Sequence, residues 1–144
     1  MKHITLLLIL ASLFLICLTC CNTSTGKMKD LINNVETYHR DLKFERFEIA
    51  AKNITPSQRG AWLEAMLLQR LHFADIEILA TRHCDITEAS DTDGEKREEN
   101  CIIVNSSVQW YVNDSPTLKT GRLRTTWEFD EEEKAWFITE QQEY

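Results

Sequence analysis

Glycine and proline are scarce in this chain, with 4 and 2 among 144 residues, and the scarcity excludes whole classes of site. A backbone cradle for phosphate needs closely spaced glycines at the start of a helix, and no such cluster exists. Positive charge is in deficit too, with 16 Lys and Arg against 23 Asp and Glu and a formal net charge of −7. Nucleic acid and anionic membrane surfaces are held by clustered Lys and Arg, so neither is an expected partner. Metal spacing is missing: His39 and His72 have no partner at ligand distance, and His83-Cys84-Asp85 sets three ligand types on adjacent strand residues that alternate faces. Asp91-Thr92-Asp93-Gly94 opens like a calcium loop but lacks the remaining ligands, which leaves it a turn. No serine sits in a nucleophile motif. On these grounds no catalytic residue, metal ligand or cofactor is assigned.

What the chain does have is a distinctive beginning. Met1-Lys2-His3 leads into an apolar run from Ile4 to Leu18, followed by Thr19-Cys20-Cys21 and the polar stretch Asn22 to Gly26. A basic start, a greasy middle too short for a comfortable membrane span and a small-residue end are the parts of a secretory signal peptide, here residues 1–20. Leu18-Thr19-Cys20-Cys21 resembles the lipobox of bacterial lipoproteins, with Cys21 as the diacylated residue. Cys20 stands where that family carries Gly, Ala or Ser. Cys20 as acceptor is the alternative, but it would place Cys17 where a branched apolar residue is expected; a plainly cleaved signal and an uncleaved anchor are the others. Acylation would hold the protein, because each buried methylene contributes about 0.8 kcal/mol and two chains hold where one does not. The resemblance implies a cell-envelope protein. Asn22, in place of the Asp linked to inner-membrane retention, favours the outer membrane facing the periplasm. Four Asn-x-Ser/Thr sequons, at Asn22, Asn53, Asn105 and Asn113, keep a secreted eukaryotic protein as an alternative.

After a polar tether over residues 21–27, the remainder, residues 28–144, has the length of one domain with a single core. Without Lys2 the mature part has 15 basic against 23 acidic side chains, the acids gathered in Asp91 to Glu99 and Glu128 to Glu133 as solvated turns. Leu31, Ile32, Val35, Tyr38, His39 and Leu42 recur at helical spacing. Phe44, Phe47, Ile49 and Ala50 continue that face through a shorter helix. Thr55-Pro56-Ser57-Gln58 reads as a capping box opening a helix to about Arg70 that buries Trp62, Leu63, Met66 and Leu67. From Leu71 the period changes to two, with strands expected over His72 to Thr87, Asn100 to Asn113, Leu118 to Phe129 and Ala135 to Gln141. Short connections favour sequential antiparallel pairing, hence an α+β fold with N-terminal helices packed on one face of a four-stranded sheet.

Cys84 and Cys101 are the thiols of this domain and a candidate disulfide in an oxidising compartment. The alternation argues partly against the bond. Ala74, Ile76, Ile78, Ala80, Cys84 and Ile86 share one parity, as do Ile102, Val104, Val108, Trp110 and Val112. With both sets facing the core, Cys84 points inward and Cys101 outward, and only a bulge lets them meet. Ile103 interrupts the alternation beside Cys101 and marks one place for it. The same parity puts Arg82, Glu88 and Ser106 inward and Asp75, Glu77 and Asp85 outward.

Tyr38-His39-Arg40-Asp41-Leu42, Phe47-Glu48-Ile49-Ala50-Ala51, Thr126-Trp127-Glu128-Phe129 and Lys134-Ala135-Trp136-Phe137-Ile138, in that order of helices and long strands, resemble the NTF2-like superfamily. The resemblance covers most of Met28 to Gln141 and implies a curved sheet wrapped around a long helix as a cone. Members include isomerases, dehydratases, hydrolases and proteins with no activity, so the fold does not settle function. Tyr38, His39 and Trp110 are the candidate pocket residues. The resulting expectation is a membrane-tethered, non-enzymatic domain binding a small ligand or a protein, a second copy included. An isomerase or dehydratase using Tyr38 and His39 is the alternative, and a structural envelope component without a pocket is another. Trp110-Tyr111 and Trp136-Phe137 each place one aromatic off the main core, where it would suit a protein contact.

Overall fold

The computed structural model describes residues 23–84, 100–112 and 115–143. The signal segment, Cys20, Cys21 and the Asp91 to Gly94 turn lie outside the described residues. Contacts divide the chain into compact units of residues 1–33 and 34–144. The first helix, α1 (Thr23–Lys43), runs through that boundary. Residues 23–27, within the expected tether, are helical. Polar Thr, Ser and Lys lack an apolar stripe yet propagate a helix that is already nucleated downstream, where the cost of the first turn has been met.

Within residues 34–144, Val35, Tyr38, His39 and Leu42 of α1 are buried, as the helical period requires. A one-turn helix, α2 (Phe47–Ala50), passes into a 3-10 turn (Ala51–Asn53). Phe47 and Ala50 are buried, whereas Phe44 and Ile49, expected on the same face, are exposed. The third helix, α3 (Arg59–Gln69), begins three residues later than its sequence signal. No side chain caps it, and buried Thr55 Oγ1 has no partner among the described residues. Thr55 is drawn elsewhere: its amide donates to the Ile138 carbonyl at 3.2 Å, and Ile54 forms a parallel bridge with Ile138. Tertiary pairing has displaced the capping box. Met66 is buried and Trp62 and Leu63 half-buried, but Leu67, expected inside, is 59% exposed.

The sheet is an antiparallel meander in the order β1-β2-β3-β4, from β1 (Leu71–His83), β2 (Cys101–Val112), β3 (Ser115–Asp130) and β4 (Ala135–Glu143). The α+β class expected from the change of period is what the chain adopts, with α1 packed from Asn34 onward on one face of the sheet. Ile102, Val104, Ser106 and Val108 of β2 face α1 together with Leu123, Thr125 and Trp127 of β3 and Ile138 of β4, all buried. Bulges interrupt β1 after Phe73 and after Ile78, and others shift the β2–β3 and β3–β4 registers. Each bulge bends its strand and increases the local twist. Scarce glycine leaves its mark here: the left-handed positions are filled by Glu45, Arg70 and Lys134, residues that pay a steric penalty there which glycine would not.

The second β1 bulge decides the cysteines. Ile78 pairs with Ser106, but Ala80 pairs with Asn105, so the parity of β1 reverses after Leu79. The new register brings Cys84 opposite Cys101, the Cys84 amide donating to the Cys101 carbonyl at 3.1 Å. The two sulfurs are bonded, with the Cα atoms 5.5 Å apart. The bulge lies at Leu79 on β1, not at Ile103. It also moves Cys84 and Arg82 to the outer face, correcting the inward placement of both; Arg82 pairs with Ile103 and is exposed.

Candidate functional site

Helical spacing puts Tyr38 and His39 on the buried side of α1, where their rings meet at 6.0 Å between centroids. Tyr38 packs edge-on against Trp127 at 5.9 Å and tilted against Trp62 at 6.1 Å. Its hydroxyl donates to Gln141 Oε1 at 2.6 Å, and Trp62 Nε1 donates to the same oxygen at 3.4 Å. Trp127 is fully buried, and its indole N–H donates to Thr125 Oγ1 at 2.9 Å. These contacts fill the space under α1 with matched groups, as buried polar atoms require.

His39 lies beside this cluster with Nε2 at 3.4 Å from Ser106 Oγ. Burial disfavours the imidazolium and lowers its pKa from 6.5 to about 4. The ring is therefore neutral near pH 7 and a weak proton acceptor, far from the pKa that suits a general base. Trp110 does not join it. It stands four residues along β2 from Ser106, about 13 Å by strand rise, next to Phe73 in the register. The structure thus brings Tyr38 and His39 together and leaves Trp110 apart. Among the described residues no group of three His, Cys, Asp or Glu side chains is arranged to hold a metal.

The concave feature beside this cluster is a groove of about 430 Å³ between α1 and the edge strand β1. Ile76 and Ile78 form its floor, the His39 edge part of its wall, and Phe44, 66% exposed, its rim. Glu36, Arg40, Lys43 and Glu77 supply mixed charge around the mouth. Lys43 is held by Asp75 at 2.9 Å, and the Lys43 ammonium keeps the Asp75 carboxyl below its usual range. Sequence reasoning found His39 but missed the rest of the groove. Residues 36, 40 and 43 share one helical face and Ile76 and Ile78 one strand face, yet nothing in either pattern says that the two faces adjoin.

Two further arrangements pin the end of α1. Asp41, whose carboxylate is almost wholly buried, is bound by Arg46 at 2.6 Å, with Oδ2 left without a partner among the described residues. His72 pairs through Nδ1 with Glu45 and stacks on Tyr111 at 5.0 Å between centroids. Tyr111 is the off-core member of the Trp110-Tyr111 pair. In Trp136-Phe137 it is Trp136 that is buried, edge-on to Phe129 at 5.3 Å.

No protein-family model matches the chain, and no curated protein matches it. A solved structure of similar shape is the intermembrane space region of chloroplast protein ARC6, 14% identical, with 77% of this chain and 91% of that one covered. Its TM-score is 0.42, too slight a likeness to bear on function.

Proposed function

We propose that this protein is a lipid-anchored cell-envelope domain of NTF2-like type that binds a small amphipathic ligand without transforming it. The observation that carries the reading is the groove between α1 and β1, with an apolar floor and a charged mouth, set beside an interior already filled by Tyr38, Trp127 and Trp62. A concave apolar surface with a few polar groups at its edge is the usual form of a ligand site. His39, the titratable group in its wall, has Ser106 and, among the described residues, no carboxylate as its partner, which supports binding over proton transfer. Helices followed by a bulged four-stranded meander support the NTF2-like reading. The export signal and Cys21 support attachment through lipid.

Two measurements test the proposal separately. Mass spectrometry of the membrane-extracted protein should find a diacylated N-terminal Cys21; an intact Met1 or an unmodified N-terminus would refute the anchor. Anilinonaphthalene sulfonate, an amphipathic anion, should fluoresce on binding the groove, and Ile76→Arg should abolish most of that signal while leaving the circular dichroism spectrum unchanged. Equal fluorescence from a folded Ile76→Arg variant would refute the groove.

A further inference from the structure

The outer face of the sheet, away from α1, carries a feature that the groove does not use. Arg122 and Arg124 of β3 share that face, because Leu123 and Thr125 point inward and are buried. Arg122 is opposite Ser107 of β2, and Arg124 is flanked by Asn105 of β2 and Gln142 of β4. Among the described residues no carboxylate is directly across from either; Glu140, on the same face of β4 and diagonal to Arg124, accepts from the Gln142 amide. Beyond Ser107 in the Arg122 rung comes Glu77 on β1, two strands away and about 10 Å by strand spacing. Neither arginine enters an ion pair among the described residues. This is unusual in a chain where acids outnumber bases 23 to 16. Arg124 adds a second observation: its Nε is out of contact with solvent and has no hydrogen-bond partner among the described residues. An unmatched donor on a permanently charged group is costly and calls for an acceptor.

We propose that Arg122 and Arg124 form a binding site for a dianionic phosphate group. Residues two apart on a strand stand about 7 Å from each other, so both guanidinium groups can close on one tetrahedral anion. A carboxylate has two oxygens and is satisfied by one arginine fork, whereas a phosphate offers enough acceptors for both. The Asn105 amide and Ser107 hydroxyl, on the neighbouring strand at the same two rungs, add neutral donors. The site is independent of the groove and of the lipid anchor.

The test uses the full chain in a nonionic detergent with ¹⁵N-labelled arginine, at mildly alkaline pH where phosphate is dianionic. The arginine Nε–Hε signals are followed during titration with inorganic phosphate, with a short-chain phosphatidic acid, and with chloride at matched ionic strength. The Arg122 and Arg124 signals should shift saturably with a phosphate ligand and not with chloride. Arg124→Gln should weaken the binding at least about tenfold, and Arg70→Gln, at an exposed residue that belongs to neither the groove nor this site, should not. Arg122→Gln serves the same purpose should Arg124→Gln fail to fold. Saturation by both ligands assigns recognition to the phosphate group alone; saturation by the phosphatidic acid only assigns it to a lipid headgroup. Shifts that never saturate, or that Arg70 shares, overturn the site.

Discussion

The two faces of the sheet solve the problem of polar atoms in opposite ways. Under α1, Ser106 meets His39, Thr125 accepts from Trp127, and Gln141 accepts from both Tyr38 and Trp62. On the outer face Arg124 keeps a buried donor without a partner and Arg122 has no ion pair among the described residues. The inner face is closed around its own contacts, and the outer one is left with hydrogen-bonding capacity to spare. The lesson is that polarity alone does not locate function in this chain: Tyr38 and His39 are polar and serve packing, while Arg124, an arginine of ordinary appearance, is one of the groups left with an unmatched buried atom among the described residues.

The sharpest way to break this contrast is to hollow the inner face. Trp127→Ala should cost about 4 kcal/mol of unfolding free energy, the range for emptying a buried aromatic position. Gln109→Ala, at a half-buried polar position on the outer face, should change stability by less than about 0.5 kcal/mol. Urea denaturation of both variants gives the comparison directly. Similar losses would mean that the outer face also carries packing.

The disulfide is the outer face's own contribution to stability. Cys84 and Cys101 are 17 residues apart in sequence, and closing a loop of that size stabilises by about 3 kcal/mol in the chain-entropy model. Reduction of the wild type should lower the urea midpoint accordingly, and a Cys84→Ser, Cys101→Ser variant should start at the lower value and ignore the reductant. An unchanged midpoint on reduction would show that the strands around the bond hold without it.

His39 tests the inner face by pH. Its folded pKa is depressed to about 4 from 6.5, so between those values the unfolded chain binds more protons than the folded one. Stability from this group is therefore present in full above pH 6.5 and is lost as pH falls toward 4, by at most about 3 kcal/mol. His39→Gln keeps a neutral polar group near Ser106 and should remove that part of the acid sensitivity. Urea midpoints of the two proteins across this interval should converge as pH falls. Parallel curves would mean that His39 is open to water.

Much of the architecture was legible in the chain because it depends on local periodicity. The α1 stripe of Val35, Tyr38 and Leu42, the change of period at Leu71, and the acidic turn from Glu131 to Lys134 are properties of neighbouring residues. What escaped depends on distant ones. Thr55 reads as a cap, but its backbone is claimed by Ile138, eighty-odd residues away in the fold's pairing. The Leu79 bulge carries no glycine or proline to announce it, yet it reverses the parity of Arg82 and Cys84. The groove arises where α1 passes β1, and neither element signals the other. For the pocket trio, strand alternation correctly put Trp110 on the inner face but said nothing of its distance from His39.

The smallest effect is expected where the inner face reaches its polar end. Tyr38→Phe removes the hydroxyl that donates to Gln141 Oε1 while keeping the ring against Trp127 and Trp62. Gln141 is half-buried and retains the Trp62 N–H, so the oxygen is not orphaned and the loss should be about 1 kcal/mol by urea denaturation. A loss as large as that of Trp127→Ala would mean that the oxygen is sealed from water and the inner face is held by its polar network. A loss near 1 kcal/mol leaves buried aromatic surface as the main source of its stability. Hydrogen bonds there then act chiefly to avoid the cost of unmatched groups, a cost the outer face still carries at Arg124.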